Sequence, residues 1–494
     1  MKTNLNVDTQ ALREKILDLA MRGKLVKQDA GDEPASVLLE KIKAEKAELV
    51  KEGKIKKSKK LPEITEDEKP FDIPDSWEWV RLGDVGDWGA GATPLKSKHE
   101  YYKGGTIPWI LTGDLNDGHI SSANQFITEK ALNETSVKIK PIGSVLIAMY
   151  GATIGKLGIL DIEATTNQAC CACVTFSGVS NMYLFDYLMF IKPKFIESGV
   201  GGAQPNISRT KIVATPIPLP PLAEQKRIAD KVSELFKQVD IIEKTIAEYQ
   251  DLEQAMRSKL LDLAMRGKLV DQDPSDEPAS ELLQKIQAEK AELVKKGKIK
   301  KSKKLPEITD DEKPFDIPDS WEWVRLGDIG DWGAGATPLK SNHEYYKDGT
   351  IPWILTGDLN DGHISSANQY ITEKALNETS VKIKPVGSVL IAMYGATIGK
   401  LGILDIEATT NQACCACVTY SGVSNMYLFN YLMFMKPKFI KSGVGGAQPN
   451  ISRTKIVATP IPIPPLAEQE RIVEKLSQLF EQLETVKQNL TTVS

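Results

Sequence analysis

One offset governs this chain: a long stretch of it recurs 244 residues downstream without insertion or deletion. Met21-Arg22-Gly23-Lys24-Leu25-Val26 returns as Met265-Arg266-Gly267-Lys268-Leu269-Val270, and Trp77-Glu78-Trp79 returns as Trp321-Glu322-Trp323. Between 71–220 and 315–464 ten of 150 positions differ: Val85/Ile329, Lys98/Asn342, Gly104/Asp348, Phe126/Tyr370, Ile142/Val386, Phe176/Tyr420, Asp186/Asn430, Ile191/Met435, Glu197/Lys441 and Leu219/Ile463. Copies this alike must fold alike and bind nearly the same thing. The period is far longer than the roughly 20–50 residues of a solenoid repeat, so this is a large-unit duplication. At 494 residues the chain is long enough for two to four domains.

Each copy has three textures. A Lys-rich arm spans 51–60 and 295–304. A block rich in Gly, Trp and β-branched residues follows, at about 71–215 and 315–459. Within it Ser144–Met149 and Ala172–Phe176 read as strands, Asn116-Asp117-Gly118 as a turn, and Asn181–Lys192 as a short buried helix, which makes the block α+β. After Pro220-Pro221 apolar residues fall at 228, 232, 235, 239, 242, 246, 249, 256, 260 and 263, with Glu253 as the one interruption. Alternating steps of four and three form a coiled-coil seam. With no proline between Leu222 and Arg266, one helix of 45 residues is expected there, about 67 Å long at 1.5 Å per residue.

The second copy of this seam is broken by the chain ends. It runs Ile472, Leu476, Leu479, Leu483, Val486, Leu490, stops at 494, and resumes at the N-terminus with Leu12, Ile16 and Leu19. The duplication is therefore circular. Two long antiparallel helices, one continuous and one split, are expected to separate two α+β blocks with pseudo-twofold symmetry and to bring the termini together. The parts read as 1–26 and 465–494 (the split helix), 27–70 and 269–314 (helical and basic arms), 71–220 and 315–464 (the blocks), and 221–268 (the central helix).

Composition narrows the function. The N-terminal stretch lacks the apolar core of a secretory signal, and no apolar run approaches the roughly 18 residues of a membrane span, so a cytoplasmic protein with no membrane partner is expected. The six Cys fall in two copies of Asn-Gln-Ala-Cys-Cys-Ala-Cys-Val-Thr, which lacks CxxC spacing and suits buried strand thiols. The four His have no HxxxH spacing, and no metal site is expected. Gly86–Thr93 lacks the third glycine of a dinucleotide turn, and Gly151–Lys156 is one residue short of a P-loop, with Leu157 where a magnesium-ligating hydroxyl belongs. No catalytic constellation emerges. The chain reads as a binding protein.

Three loops are candidates for its ligand. The first holds Thr93, Lys96, Lys98, Tyr101, Tyr102 and Lys103, the second Tyr150, Thr153 and Lys156, and the third Gln204, Asn206, Ser208, Arg209 and Lys211. Their copies are Thr337, Lys340, Tyr345, Tyr346 and Lys347; Tyr394, Thr397 and Lys400; and Gln448, Asn450, Ser452, Arg453 and Lys455. Amide side chains can pair bidentately with adenine, and Arg and Lys can contact guanine or phosphate. A net charge of −4 means that affinity for a polyanion must come from local patches.

Pro-Leu-Pro-Pro-Leu-Ala-Glu-Gln-Lys-Arg-Ile (218–228), its copy at 462–472, Gly-Ala-Thr-Pro (91–94), Ala-Thr-Ile-Gly-Lys (152–156), Asn-Gln (167–168) and Gln-Pro-Asn-Ile-Ser (204–208) resemble the specificity subunits of type I restriction-modification systems. The resemblance runs through both copies in order. It implies two target recognition domains on double-stranded DNA, no catalysis by this chain, and recruitment of two methyltransferase subunits and then restriction subunits. S-adenosylmethionine, ATP and magnesium are implied for those partners, with no cofactor bound here. Phe236, Ile241, Leu252 and Phe480, which flank the seam, are candidate docking residues. Family members usually carry two dissimilar recognition domains and read an asymmetric target, whereas these are near-identical. The target should therefore be a palindrome interrupted by about 5–8 unread base pairs, since half-sites face a twofold protein about one helical turn apart. The alternatives are a self-contained methyltransferase or nuclease built on the Gly89-Ala90-Gly91 turn, and a stand-alone palindrome-binding regulator.

Overall fold

The computed structural model describes residues 7–199, 206–443 and 450–492. The chain packs as two compact units, one spanning Val7–Ile246 and the other taking the described residues from Ala247 onward. The predicted meeting of the termini concerns ends that lie outside the described residues. No helix among the described residues is long and apolar enough to cross a membrane.

In the first unit, helix α1 (Thr9–Met21) leads to α2 (Ala35–Lys51). The strands are β1 (Glu78–Arg81), β2 (Gly86–Ala90), β3 (Ile107–Ile110), β4 (Gly118–Ile120), β5 (Phe126–Ile127), β6 (Val145–Ala148), β7 (Leu157–Leu160), β8 (Thr165–Thr166), β9 (Cys170–Thr175) and β10 (Pro216–Leu219). Helix α3 (Glu129–Glu134) follows β5, and α4 (Asn181–Gly199) and α5 (Arg209–Ala214) lie between β9 and β10. Five strands form the main sheet in the order β2-β9-β6-β7-β4, three more the sheet β5-β3-β8, and β1 pairs with β10. The same elements recur in the second unit, from Ala279–Lys295 to Pro460–Ile463. Each unit is α+β, as expected.

The main sheet is apolar on both faces. Val145, Ile147, Cys171 and Cys173 meet α1, α2 and α4 on one side, while Leu146, Ala148, Cys170 and Ala172 pack a smaller core with Ile110 and Ile120. Alternation along β9 sends neighbouring thiols to opposite faces, and burial pushes Cys171 up to about 12. Helix α4 outruns its predicted end at Lys192. Proline at 193 argues for a stop, yet Tyr183, Tyr187, Ile191 and Phe195 recur every four residues and are all buried, so packing carries the helix through.

Long helix α6 runs Leu222–Met265, 44 residues, close to the predicted span. The unit boundary falls inside it. In the first unit Leu17, Ala20 and Met21 share a core with Ile228 and Val232, whereas Arg13 meets Phe236 and Asp240. Numbering falls along one helix as it rises along the other, so α1 and this half of α6 are antiparallel. The second unit repeats the pairing between the other half of α6 and the C-terminal helix Leu466–Thr492: Leu261 and Met265 share a core with Ile472 and Leu476, and Arg257 meets Phe480 and Glu484. Glu253, the interruption in the seam, is nearly buried and paired with Arg257 at 2.9 Å and Lys487 at 3.6 Å. The seam is not covered throughout, because Ile242 and Met256 remain exposed.

Candidate nucleic-acid interface

Register decides where the candidate loops lie. Ala90 at the end of β2 pairs with Cys171, and Ala148 at the end of β6 pairs with Cys170. The loops leaving β2 and β6 and the loop entering β9 therefore share one end of the main sheet. Backbone bonds tie them together: Gly91 N to Cys170 O at 3.0 Å, Ala92 N to Thr166 O at 2.9 Å, Met149 N to Ala169 O at 2.8 Å and Ile207 N to Met149 O at 2.7 Å. Tyr150 bridges Asn206, and the Thr93 hydroxyl bonds Gln168. The structure thus gathers Thr93, Tyr150 and Asn206 at one place, and adds Gln168, an exposed amide not singled out as a contact in the sequence. Thr337, Tyr394, Asn450 and Gln412 repeat the arrangement.

Other candidates serve the loops themselves. Tyr101 is buried with its hydroxyl 3.0 Å from Glu134, and Tyr102 donates to Pro94 O at 2.5 Å, so both ring systems build a small core with Trp109 and Ile127. In the copy Tyr345 reaches Glu378 at 3.2 Å and Tyr346 reaches Pro338 O. Lys98 lies 3.0 Å from the Tyr101 hydroxyl, while its counterpart Asn342 caps Glu344 N. Ser208 caps α5 by accepting from Lys211 N at 3.2 Å, and Ser452 does the same for Lys455 N. Lys96, Lys103, Lys340 and Lys347 are exposed, as are Lys156, Lys211 and Lys455, whereas Thr153, Thr397 and Lys400 are half-buried. Gln204 and Gln448 lie outside the described residues.

Two glycine turns lose their nucleotide reading here. The Gly89-Ala90 pair closes an edge strand, and Gly91 lies so tightly on Thr166 that an added Cβ would come within 2.1 Å of its carbonyl oxygen. The Gly151–Lys156 loop joins β6 to β7, whereas a phosphate loop opens a helix.

A cation pair flanks the same end of β2. Arg209 donates to Trp88 O at 3.4 Å, and Lys140, only 9% exposed, brings its ammonium to 3.4 Å from where a Gly89 Cβ would stand. Both charges act to lower the Cys171 thiol against burial. Neither has a carboxylate partner among the described residues. Lys140 and its copy Lys384 escape sequence reading, because nothing in Lys-Ile-Lys-Pro shows which lysine turns inward.

The Leu-Ala-Glu-Gln stretch (222–225) turns its Glu and Gln inward. Glu224 and Gln225 are buried at the start of α6, where Glu224 accepts from Trp77 Nε1 at 3.0 Å and bonds Gln28. Gln225 accepts from Ser180 N at 2.8 Å and donates to Pro220 O at 2.9 Å. Arg227 pairs with Asp32 at 2.6 Å. The stretch clamps helix to block. Of the four proposed docking residues, Phe236 and Phe480 lie half-buried under Arg13 and Arg257, whereas Ile241 and Leu252 are 63% and 59% exposed.

The type I restriction modification DNA specificity domain matches residues 74–250 and again 318–493. The EcoAI specificity subunit of Escherichia coli is 33% identical over 97% of this chain and 90% of its own length, and the EcoEI subunit of the same organism is 30% identical over the same shares. A chain from a structure of a type I restriction-modification system, 22% identical, shares the fold with a TM-score of 0.58 over 86% of this chain and 95% of that one. With the domain present twice and relatives matched almost end to end, the chain belongs to the family of type I restriction-modification specificity subunits.

Proposed function

We propose that each unit reads a short DNA half-site with the loops gathered at one end of its main sheet, and that the chain, itself without catalysis, recruits methyltransferase and then restriction subunits in the cytoplasm. The observation that carries this reading is the convergence of Thr93, Tyr150, Asn206 and Gln168 beside Lys140 and Arg209, cations with no carboxylate partner among the described residues, with Thr337, Tyr394, Asn450, Gln412 and Lys384 repeating it in the second unit. Amides and hydroxyls suit base edges, and the flanking cations suit phosphate. S-adenosylmethionine, ATP and magnesium belong in this reading to the partners. Because 140 of 150 block positions match, both half-sites carry one sequence, and the circular order of the repeat supports their being inverted.

The test is to assay DNA methylation by the purified chain, by a methyltransferase subunit encoded with it, and by the two together. Methylation only by the pair is expected. Methylation by this chain alone would contradict the reading and return the self-contained enzyme.

A further inference from the structure

The Lys-rich arms have no role in what precedes. Residues 51–60 carry six Lys and one Glu, and 295–304 carry seven Lys and no acid. Together they hold a charge of +12 on a chain whose net charge is −4, so the rest of the molecule stands at −16. That imbalance opposes approach of a polyanion everywhere except at local cation clusters.

Each arm is held at both ends. On the N-terminal side α2 closes on Gly53, whose φ of +70° permits the turn, and Ile55 packs against the unit's core. On the C-terminal side Arg81, 4% exposed, donates to Pro62 O at 3.1 Å, Glu63 O at 2.8 Å and the Glu68 carboxylate at 2.6 Å. Between the anchors Lys56, Lys57, Lys59 and Lys60 are exposed and have no acidic partner among the described residues, and their copies 244 residues on are the same. Two lysines nearer the helix do meet an acid, Lys54 with Glu52 at 2.9 Å and Lys296 with Glu292 at 2.5 Å. Four adjacent cations without acids, fixed at both ends, lose little entropy on meeting an anion.

Their position points to which anion. Leu61, just past the arm, and Val213 of α5 close together over the bare side of Gly83. Arg81 also donates to Ala214 O at 2.6 Å. The arm therefore ends at the C-terminus of α5, and Arg209, at the other end of that helix, lies about 7.5 Å away by helical rise. Five extended residues reach about 17 Å. The arm's C-terminal anchor and Arg209 thus belong to the two ends of one short helix, within reach of each other.

We infer that each arm grips the phosphates of duplex DNA beside the half-site read by its own unit, adding affinity without sequence preference. This rests on the DNA reading above. The test is to replace Lys56, Lys57, Lys59, Lys60 and their four copies with Gln in the full chain, and to measure affinity for a random-sequence duplex as salt is raised. Each phosphate left without its lysine flattens the plot of log K against log salt by about 0.9, so four such phosphates would erode the parent's advantage roughly a hundredfold between 50 and 200 mM. The same Lys→Arg set should keep the parent's slope. Lysine acetylation of the parent, with and without duplex, checks the inference without relying on how the Gln variant folds: the arm lysines should be protected. An unchanged slope with unprotected lysines would overturn it. Unchanged DNA binding with loss of methyltransferase co-purification would overturn it too, assigning the arms to an acidic protein surface. A parent chain that binds no duplex would instead bring down the DNA reading, and the arm with it.

Discussion

Asp186 and Asn430 are the most informative of the ten differences. Asp186 is 4% exposed in α4, one carboxylate oxygen has no partner among the described residues, and burial raises its pKa well above the ordinary value. A carboxyl kept neutral in the fold but free to ionise in the unfolded chain makes the first unit lose stability as pH rises above about 4. The second unit, with an amide there, escapes this. Asp186→Asn should therefore stabilise the first unit at pH 7 by about 1–3 kcal/mol, with the gain fading near pH 4; thermal unfolding across pH checks it. At the sheet end, Lys140→Gln with Lys384→Gln should weaken binding to all sequences alike and flatten the salt slope by about one for each phosphate these lysines neutralise. Loss of sequence preference in a binding titration would instead make these lysines base readers. Neither position was legible in the sequence. A buried Asp looks like any surface Asp when its neighbours are apolar, and Tyr101 and Tyr102 beside lysines look like nucleic-acid contacts until Trp109 is seen to need them as packing partners.

Elements with a strong period were legible. The repeat fixes equivalence, the seam marks α6 to within a residue, and turn chemistry brackets β6 and β9. Tertiary packing decided the rest, as where α4 passes Pro193 and where Asp117, at φ +61°, takes Lys192 at 2.6 Å. Arg81 is the tie between arm and block. Removing it with Arg81→Met strands the Glu68 carboxylate, now held down to about 2 by Arg81 and Thr65, and frees three carbonyls, those of Pro62, Glu63 and Ala214. Limited proteolysis should then cut between 52 and 68 faster than in the parent, while unit two, with Arg325 intact, stays resistant. For partner docking, the exposed apolar residues of α6 are the sharper test. Ile241→Asp with Leu252→Asp should abolish co-purification with the methyltransferase at unchanged melting temperature. Phe236→Asp would also disturb the Arg13 contact, and so confound assembly with folding.

The whole molecule is one recognition unit used twice, and in sequence the copy of the α6 seam is divided between the chain's two ends. Relatives matched at 33% and 30% identity are specificity subunits, and the two halves of this chain are near-identical. If each half reads one sequence, the target has no freedom to be asymmetric. The charge differences Lys98/Asn342, Gly104/Asp348 and Glu197/Lys441 can alter how tightly each half binds, but the gathered Thr, Tyr, Asn and Gln side chains are the same in both. The most direct measurement is the methylome of a host that carries this chain with its methyltransferase partner. The account predicts a single interrupted motif whose half-sites are one sequence inverted, with a constant gap and one methylated base on each strand. Two unrelated half-sites, or a gap that varies from site to site, would contradict it.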